Sequence, residues 1–267
     1  NSWLDRDLGL AGSRYTLDGD EHVVRIHKPL ARVSQLAIHL DRKVNDEGLK
    51  LNPQLHLAPM WGLAAEKTDA AKEFLELVAK AAGVAPDAVA SHDLSLYDIT
   101  PGALGGAKDE FVFVGRLDNL ASCHAGLLAL LASGAKGPTD TLPLLACFDH
   151  EEIGSASVDG ADGTILAVVI ERVMGALGAD RGAYLAALAG SLMLSADMAH
   201  GAHPNFADRH EPRHKPMLGG GPVLKTNHNQ RYGTSVATAA RLKGLARKAD
   251  VPLQDFVTRT DLGCGST

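Results

Sequence analysis

Two patterns of hydrophobic and polar positions follow one another along the chain. Residues 21–40 alternate loosely between apolar and polar side chains, which is typical of short strands separated by turns. Apolar residues at helical spacing predict a helix over residues 68–82, where Thr68 can cap the N-terminus and Asp69 favours its positive end. Gly83 is placed to end that helix. This first pattern predicts a small, β-rich domain.

The second pattern begins after residues 101–108, where glycines and a proline mark a boundary. Beyond them, apolar runs alternate with amphipathic segments. The predicted strands are 110–114, 142–148, 192–196, 221–225 and 255–259, and the predicted helices are 120–131, 161–176, 181–190 and 234–248. This alternation predicts an α/β domain with a mostly parallel sheet flanked by helices. We therefore expect two domains, 1–105 and 106–267.

Composition narrows the classes of function. Hydrophobic residues make up 45% of the 267 residues and charged residues 22%, as in folded globular proteins. With 26 basic and 32 acidic residues the net charge is −6, so the chain has no overall attraction for nucleic acid or anionic lipid. The apolar stretch 182–196 is too short to span a bilayer. Three separated cysteines without a CxxC pair favour free thiols in the cytoplasm. We expect neither a nucleic acid nor a membrane as partner.

Acidic side chains follow four of the predicted strands at the point where each strand ends. Asp118 follows the first, Glu151 and Glu152 follow the second, Asp197 follows the third, and Asp261 follows the strand at 255–259. Ligands bind outside the carboxyl ends of parallel strands, and several carboxylates gathered there need a multivalent cation as counter-charge. Each residue also has a plainer interpretation, since Asp118 can cap a helix and adjacent glutamates are commonly solvated. Their joint arrangement predicts a cation site.

Residues 195–232 are unusually polar for a segment between predicted strands. They hold five of the twelve histidines and the glycine-rich run 219–222. Such density favours loops that line a site, although a long solvated surface loop is the alternative.

Nine short motifs, in the order in which they occur, resemble those of the M18 aspartyl aminopeptidases. The motifs are Trp3–Leu8, Leu36–Leu40, Arg116–Asn119, Asp149–Ser155, Ser195–Gly201, His203–Asn205, Gly221–Lys225, Asn229–Tyr232 and Cys264–Thr267. The resemblance runs the length of the chain. It implies that residues 1–105 form a dimerisation domain and that residues 106–267 form part of a zinc-peptidase-like catalytic domain.

The resemblance implies a metallo-aminopeptidase that removes N-terminal Asp or Glu from peptides by two-metal activation of a bridging water. The expected cofactors are two divalent ions per subunit, Zn2+ first, with Mn2+ or Co2+ as alternatives. Asp118 matches the carboxylate that bridges both ions, and Glu152 and Asp197 each match a ligand of one ion. Glu151 matches the general base, which must stay off the metal to accept a proton.

Substrate contacts are implied in the same way. Lys225, Tyr232 and His200 match substrate-contacting positions, and a lysine suits an acidic side chain. His39 matches a histidine that reaches across a subunit interface to stabilise the tetrahedral intermediate. The family commonly assembles as a dodecamer built from dimers, so we expect a homo-oligomer.

One departure from the family concerns its metal-ligating histidines. Members of the family carry them in segments before and after the matched region, and none of the twelve histidines here matches either. We therefore expect this stretch alone to bind two metals poorly and to be inactive. Two other functions stay open. One is a non-catalytic assembly homologue with a vestigial site, and the other is a different divalent-metal hydrolase, such as a magnesium phosphatase, which carboxylate-rich coordination would suit.

Overall fold

The computed structural model describes residues 3–134, 137 and 140–263, and its class is the predicted mixed α/β. The chain divides into two compact units, Asn1–Gly115 and Arg116–Thr267. The motif Cys264–Thr267 lies outside the described residues.

An antiparallel three-stranded sheet with the order β2–β1–β3 forms the base of the first unit. Its strands are β1 (Leu8–Thr16), β2 (Glu21–Ala31) and β3 (Val89–Asp98). The central strand β1 pairs with both neighbours along most of its length. Gly12 has a φ of 153°, and a Cβ there would lie 2.1 Å from the carbonyl oxygen of Asp93. Only glycine therefore allows β1 and β3 to approach so closely at this point.

A single long helix covers one face of this sheet. The helices of the unit are α1 (Val44–Glu47), α2 (Pro53–His56) and α3 (Ala70–Ala82). Helix α3 ends at Gly83 in the left-handed conformation, as predicted. Its cap is Asp69, whose carboxylate accepts a hydrogen bond from the backbone N–H of Lys72 at 3.1 Å. The predicted cap at Thr68 is wrong because the helix begins at Ala70, which makes Asp69 the N-cap residue.

The core of the first unit lies between α3 and the sheet. Leu10 of β1, Val24 of β2 and Val78 of α3 are buried together. Further apolar side chains pack around them: Ile26, Leu30, Phe74, Ala82, Leu94 and Leu96. Each fully buried aliphatic side chain of this kind contributes about 1.5–3 kcal/mol.

Two predictions for this part of the chain need correction. The hairpin of β4 (Ala103–Gly105) and β5 (Phe111–Phe113) is antiparallel and belongs to the first unit. The strand predicted at 110–114 therefore forms, but outside any parallel sheet, and the boundary expected at 105/106 falls inside the hairpin. Residues 36–40 form a turn rather than a strand, in which the N–H of Leu40 donates to the carbonyl of Ala37 at 2.8 Å.

The described residues of the second unit form four α-helices and one parallel pair of strands. These elements are α4 (Leu117–Gly134), α5 (Ile165–Ala176), α6 (Arg181–Gly190), β6 (Val223–Thr226), α7 (Val236–Lys248) and β7 (Gln254–Val257). Helix α7 connects β6 to β7, and Ser235 and Thr238 form a capping box at its start. No helix in the described part of the chain is long and apolar enough to cross a bilayer.

The strands predicted at 142–148 and 192–196 are wrong. Neither segment pairs with a strand within the described residues. An apolar run reports a tendency to be buried, whereas a strand also needs a partner for its backbone N–H and C=O groups. Both segments still bring site residues into position, since Glu151 and Asp197 follow them directly.

Candidate active site

Asp118 stands at the very start of α4, ahead of its regular turns. The backbone angles of Asp118 (φ −81°, ψ 110°) and Asn119 (φ −116°, ψ 23°) are not helical. The Asn119 side-chain amide donates to the carbonyl oxygen of Ala196 at 2.9 Å. This hydrogen bond holds the segment of Asp118 beside the segment that carries Asp197.

The two adjacent glutamates sit on one short turn. Glu151–Ile153 form a single 3-10 turn between His150 (φ 61°) and Gly154 (φ 100°), both left-handed. The His150 Nδ1 lies 2.7 Å from the Ser157 hydroxyl, which ties the loop back on itself. Both glutamate side chains are exposed. The turn thus presents two carboxylates to solvent from a backbone fixed at each end.

The charges of three other acidic residues act on the Asp118 carboxyl. Partial removal from water raises the pKa of Asp118 above its ordinary value, and the charges of Asp197, Glu152 and Glu151 raise it further. The structure therefore places Asp197, Glu152 and Glu151 near enough for their charges to act on Asp118, although the four residues lie on three separate segments. Asp261, which follows the last predicted strand, pairs instead with Arg259.

Lys225 is a cation that lies beside this acidic group. Its Nζ lies 3.8 Å from Asp197 Oδ2 and 3.5 Å from the carbonyl oxygen of Met198, and its side chain is 23% exposed. The same ammonium group lies 5.9 Å from the centre of the buried Tyr232 ring. Lys225 thus connects Asp197 with Tyr232, two residues that the sequence assigned to different roles.

His200 packs against Phe256 of β7 and against His210, with 5.4 Å between ring centres in each pair. His210 is buried, and burial lowers its pKa. The N–H of His203 donates to His210 Nε2 at 3.2 Å, so Nδ1 carries the proton in the neutral ring. Two hollows adjoin this region, and residues 258, 259, 262 and 263 line both of them. The four carboxylates lie outside both hollows.

His39 belongs to the first unit, where it is exposed within the turn at residues 38–40. It is therefore the one predicted site residue that the second unit does not contain.

The chemistry of the donor set fits divalent cations, because clustered carboxylates repel one another until a cation binds them. Among the described residues, no group of three or more His, Cys, Asp or Glu side chains is close enough to hold a metal ion as it stands. Charge repulsion acts over longer distances than the roughly 2.0–2.2 Å of a zinc–ligand bond. The carboxylates thus surround a common region without forming a closed set of ligands.

Asn119 is a contributor that the sequence analysis missed. Its position directly after Asp118 was visible, but the acceptor for its amide, Ala196, is 77 residues away. Nothing in the local pattern could identify that partner.

The comparisons agree with the motifs. The model of a family described as aminopeptidase I zinc metalloprotease (M18) matches residues 1–267. The chain belongs to the M18 peptidase family. This M18 chain is 45% identical over 268 residues to a probable M18 family aminopeptidase 2 of Streptomyces coelicolor, and 46% identical over 275 residues to the protein of that name in Mycobacterium leprae. Each alignment covers 100% of this chain and 62% of the relative, so the chain spans less than two thirds of their length.

Solved M18-like structures share the fold. A chain in the cryo-EM structure of the Ape4 and Nbr1 complex superimposes with a TM-score of 0.86 at 36% identity, covering 100% of this chain and 55% of that chain. The S. cerevisiae mApe1 dodecamer gives a TM-score of 0.76 at 27% identity, covering 96% of this chain and 58% of that chain. The predicted fold class and family are therefore confirmed.

Proposed function

We propose that this chain carries most of the catalytic site of a metallo-aminopeptidase that removes N-terminal aspartate and glutamate from peptides. The observation that carries the proposal is the convergence of Asp118, Glu151, Glu152 and Asp197, with Lys225 beside them. Membership of a family described as zinc metalloproteases supports the reaction class.

Asp118, Glu152 and Asp197 would hold two divalent cations, Zn2+ first and Mn2+ or Co2+ as alternatives. When bound, such cations would supply Lewis-acid activation of a water and of the scissile carbonyl. Asp118 would be a ligand common to both cations, since it interacts with carboxylates on both other segments.

Glu151 acts as the general base. It accepts the proton of the attacking water and passes it to the leaving amine, which requires a carboxylate that no metal holds. In a 3-10 turn, successive side chains point about 120° apart because there are about three residues per turn. Glu152 can therefore face the cations while its neighbour Glu151 stays free for proton transfer.

Lys225 gives the site its preference for acidic residues, since its ammonium group can donate charged hydrogen bonds to a substrate carboxylate. Tyr232 stacks near that ammonium group and limits where it can move. His200 contacts the substrate as well. His39 stabilises the tetrahedral intermediate from a neighbouring subunit, which would require a dimer formed through residues 1–105.

We further propose a homo-oligomer, and the expected form is a dodecamer of twelve subunits built from six dimers. The support is the dodecamer named for S. cerevisiae mApe1. A cytoplasmic location is proposed on the free thiols of Cys123 and Cys147, which are typical of a reducing compartment.

The decisive experiment compares Glu151→Gln with Glu152→Gln in the intact, metal-loaded protein. Both variants remove one charge from the same turn, but only Glu152 is assigned to a metal. We expect Glu151→Gln to lower kcat for an Asp anilide by about 10²–10⁴-fold with the metal content unchanged. Glu152→Gln should lower both kcat and metal content.

The wild-type measurement separates the alternatives. Turnover of Asp and Glu anilides above Leu anilide supports the proposal. Hydrolysis of a phosphate ester with Mg2+ and not of any anilide would favour the magnesium hydrolase, and full metal loading without turnover would favour the assembly homologue. Equal activity of Glu151→Gln and the wild type would refute the assignment of the base.

A further inference from the structure

Two free cysteines lie on neighbouring segments of the second unit, and neither is a residue of the proposed active site. Cys123 lies in the second turn of α4, and Cys147 lies in the unpaired segment 142–148. Both are free, and Cys123 is the first cause of the raised pKa of the Cys147 thiol. The two thiols are therefore neighbours in the fold and are not joined by a disulfide.

One helical turn away from Cys123, helix α4 is in close contact with the segment that carries Cys147. A Cβ added at Gly126 would lie 2.7 Å from Leu145 Cδ1, so the missing side chain makes room for Leu145 against α4. Gly126 is three residues after Cys123 and hence on the same helix face. Leu145 is two residues before Cys147 on the same segment. The helix and the segment thus pack in a register that brings the thiols together.

Both cysteines are at least partly exposed, and each lies a few residues from an acidic residue of the proposed site. Cys147 is exposed and Cys123 is partly exposed. Cys123 follows Asp118 by five residues, and Cys147 precedes Glu151 by four. A covalent bond between them would tie the start of α4 to the strand-like segment that leads to the glutamate turn.

We propose that Cys123 and Cys147 form a dithiol site that is reversibly oxidised to an intramolecular disulfide by a low-molecular-weight disulfide such as glutathione disulfide. One cysteine thiolate attacks the reagent, forms a mixed disulfide and releases one glutathione thiol. The second cysteine thiolate attacks the mixed disulfide at the protein sulfur and releases the other. Overall, two protein thiols and one glutathione disulfide give one protein disulfide and two glutathione thiols. The site does not depend on the proposed peptidase activity.

Cys123, together with burial, raises the pKa of the Cys147 thiol. Because the thiolate is the attacking species, exchange should be followed at mildly alkaline pH, about 8.5.

The test uses the intact protein with Cys264→Ser, which removes the third thiol. The folded protein is incubated with glutathione disulfide, its free thiols are alkylated, and its peptides are analysed by mass spectrometry. We expect both thiols to disappear together, a linked Cys123–Cys147 peptide to form, and dithiothreitol to restore both. Cys123→Ser and Cys147→Ser serve as matched variants, in which the remaining thiol should stop at the glutathione mixed disulfide. Stable glutathionylation of both cysteines, or no thiol loss until denaturant is added, would overturn the proposal.

A second probe avoids any variant that folds poorly. Phenylarsine oxide reacts with two neighbouring thiols to form a cyclic dithioarsonite and one water. We expect one arsenic bound per chain, with simultaneous loss of the Cys123 and Cys147 thiols and reversal by a small dithiol. Failure to bind at low micromolar concentration would show that the two thiols cannot reach a common atom.

Discussion

The first unit has a fully buried apolar cluster between its sheet and α3, whereas the helices of the second unit leave many of their apolar side chains exposed. Val24 and Val78 in the first unit are 0% exposed. In the second unit, α4, α5 and α7 contain no buried residue, and Leu131 of α4 and Val169 of α5 are 62% and 44% exposed. The apolar faces of these helices are thus not covered by the described residues.

The buried core that stabilises the fold lies in the first unit, whereas the acidic residues of the candidate site lie in the second unit. The first unit has a sheet whose central strand is paired on both edges and whose face is covered by α3. The acidic residues of the second unit stand instead at element ends and turns, where like charges come together at a cost in stability. A cation that binds them would offset this cost, so the second unit should gain more from metal than the first.

Paired valine substitutions test the comparison most strongly. Val24→Ala removes two methyl groups from a fully buried site in the first unit, and we expect a loss of about 2–3 kcal/mol in the free energy of unfolding. Val169→Ala makes the same change on the exposed face of α5 and should change it by at most about 0.5 kcal/mol. Urea unfolding of both variants measures the difference. A large loss at Val169 would show that this face is covered in the intact protein.

Arg14 is the exception within the well-packed unit. Its side chain is 0% exposed, and among the described residues Nε, Nη1 and Nη2 have no hydrogen-bond acceptor. Burying an unpaired charge is costly, and apolar replacement of buried charged groups is often stabilising. We expect Arg14→Met to raise the midpoint of urea unfolding by the equivalent of about 1–2 kcal/mol, with Arg14→Lys as the control that keeps the charge. Destabilisation by Arg14→Met would instead reveal an acceptor beyond the described residues.

Local signals predicted the elements well where the chain itself supplies the partners. Helix α3 carries its own cap, apolar stripe and terminal glycine, and it forms within two residues of the prediction. The segment 142–148 has a strong apolar pattern but no partner strand among the described residues, and it remains unpaired. Periodicity reports which residues prefer burial and does not report what will cover them.

The predictions for the candidate site also differ in what supported them. Carboxylates after predicted strands pointed to Asp118, Glu151, Glu152 and Asp197 without any family argument. The expected sheet edge is absent among the described residues, so these four residues lie near one another although the structural reason expected for it is wrong. The separate roles of these residues, and those of Lys225, Tyr232, His200 and His39, came only from the resemblance and remain predictions. The Asn119–Ala196 and Cys123–Cys147 contacts join distant segments, so no local pattern could have indicated them.

Lys225→Ala tests the specificity of the second unit. Loss of the ammonium group should lower kcat/KM for Asp anilide by about tenfold relative to Leu anilide, because a charged hydrogen bond to the substrate carboxylate is lost. Lys243→Ala is the matched control, since Lys243 pairs with Asp255 at 3.0 Å on the exposed surface of the same unit. It should leave the ratio unchanged. An unaltered ratio in Lys225→Ala would remove this residue from the specificity assignment.

The smallest expected effect is the acid sensitivity of the first unit through Asp98. The Thr100 side chain and backbone N–H donate to this buried carboxylate, Arg6 pairs with it, and together they lower its pKa from 3.8 to about 2. A group with a lowered pKa stabilises the folded state above its unfolded pKa, and this contribution is lost as the pH falls from about 4 to about 2.

The full shift corresponds to about 2 kcal/mol, but Arg6 is half-exposed and water screens its charge, so we expect about 1 kcal/mol. Asp98→Asn should flatten the pH dependence of urea unfolding in that range. Asp93→Asn, at an exposed position on the same strand, is the control that should leave the slope as it is. If both variants keep the wild-type slope, other carboxylates govern acid unfolding, and the first unit gains little from the Arg6–Asp98 ion pair.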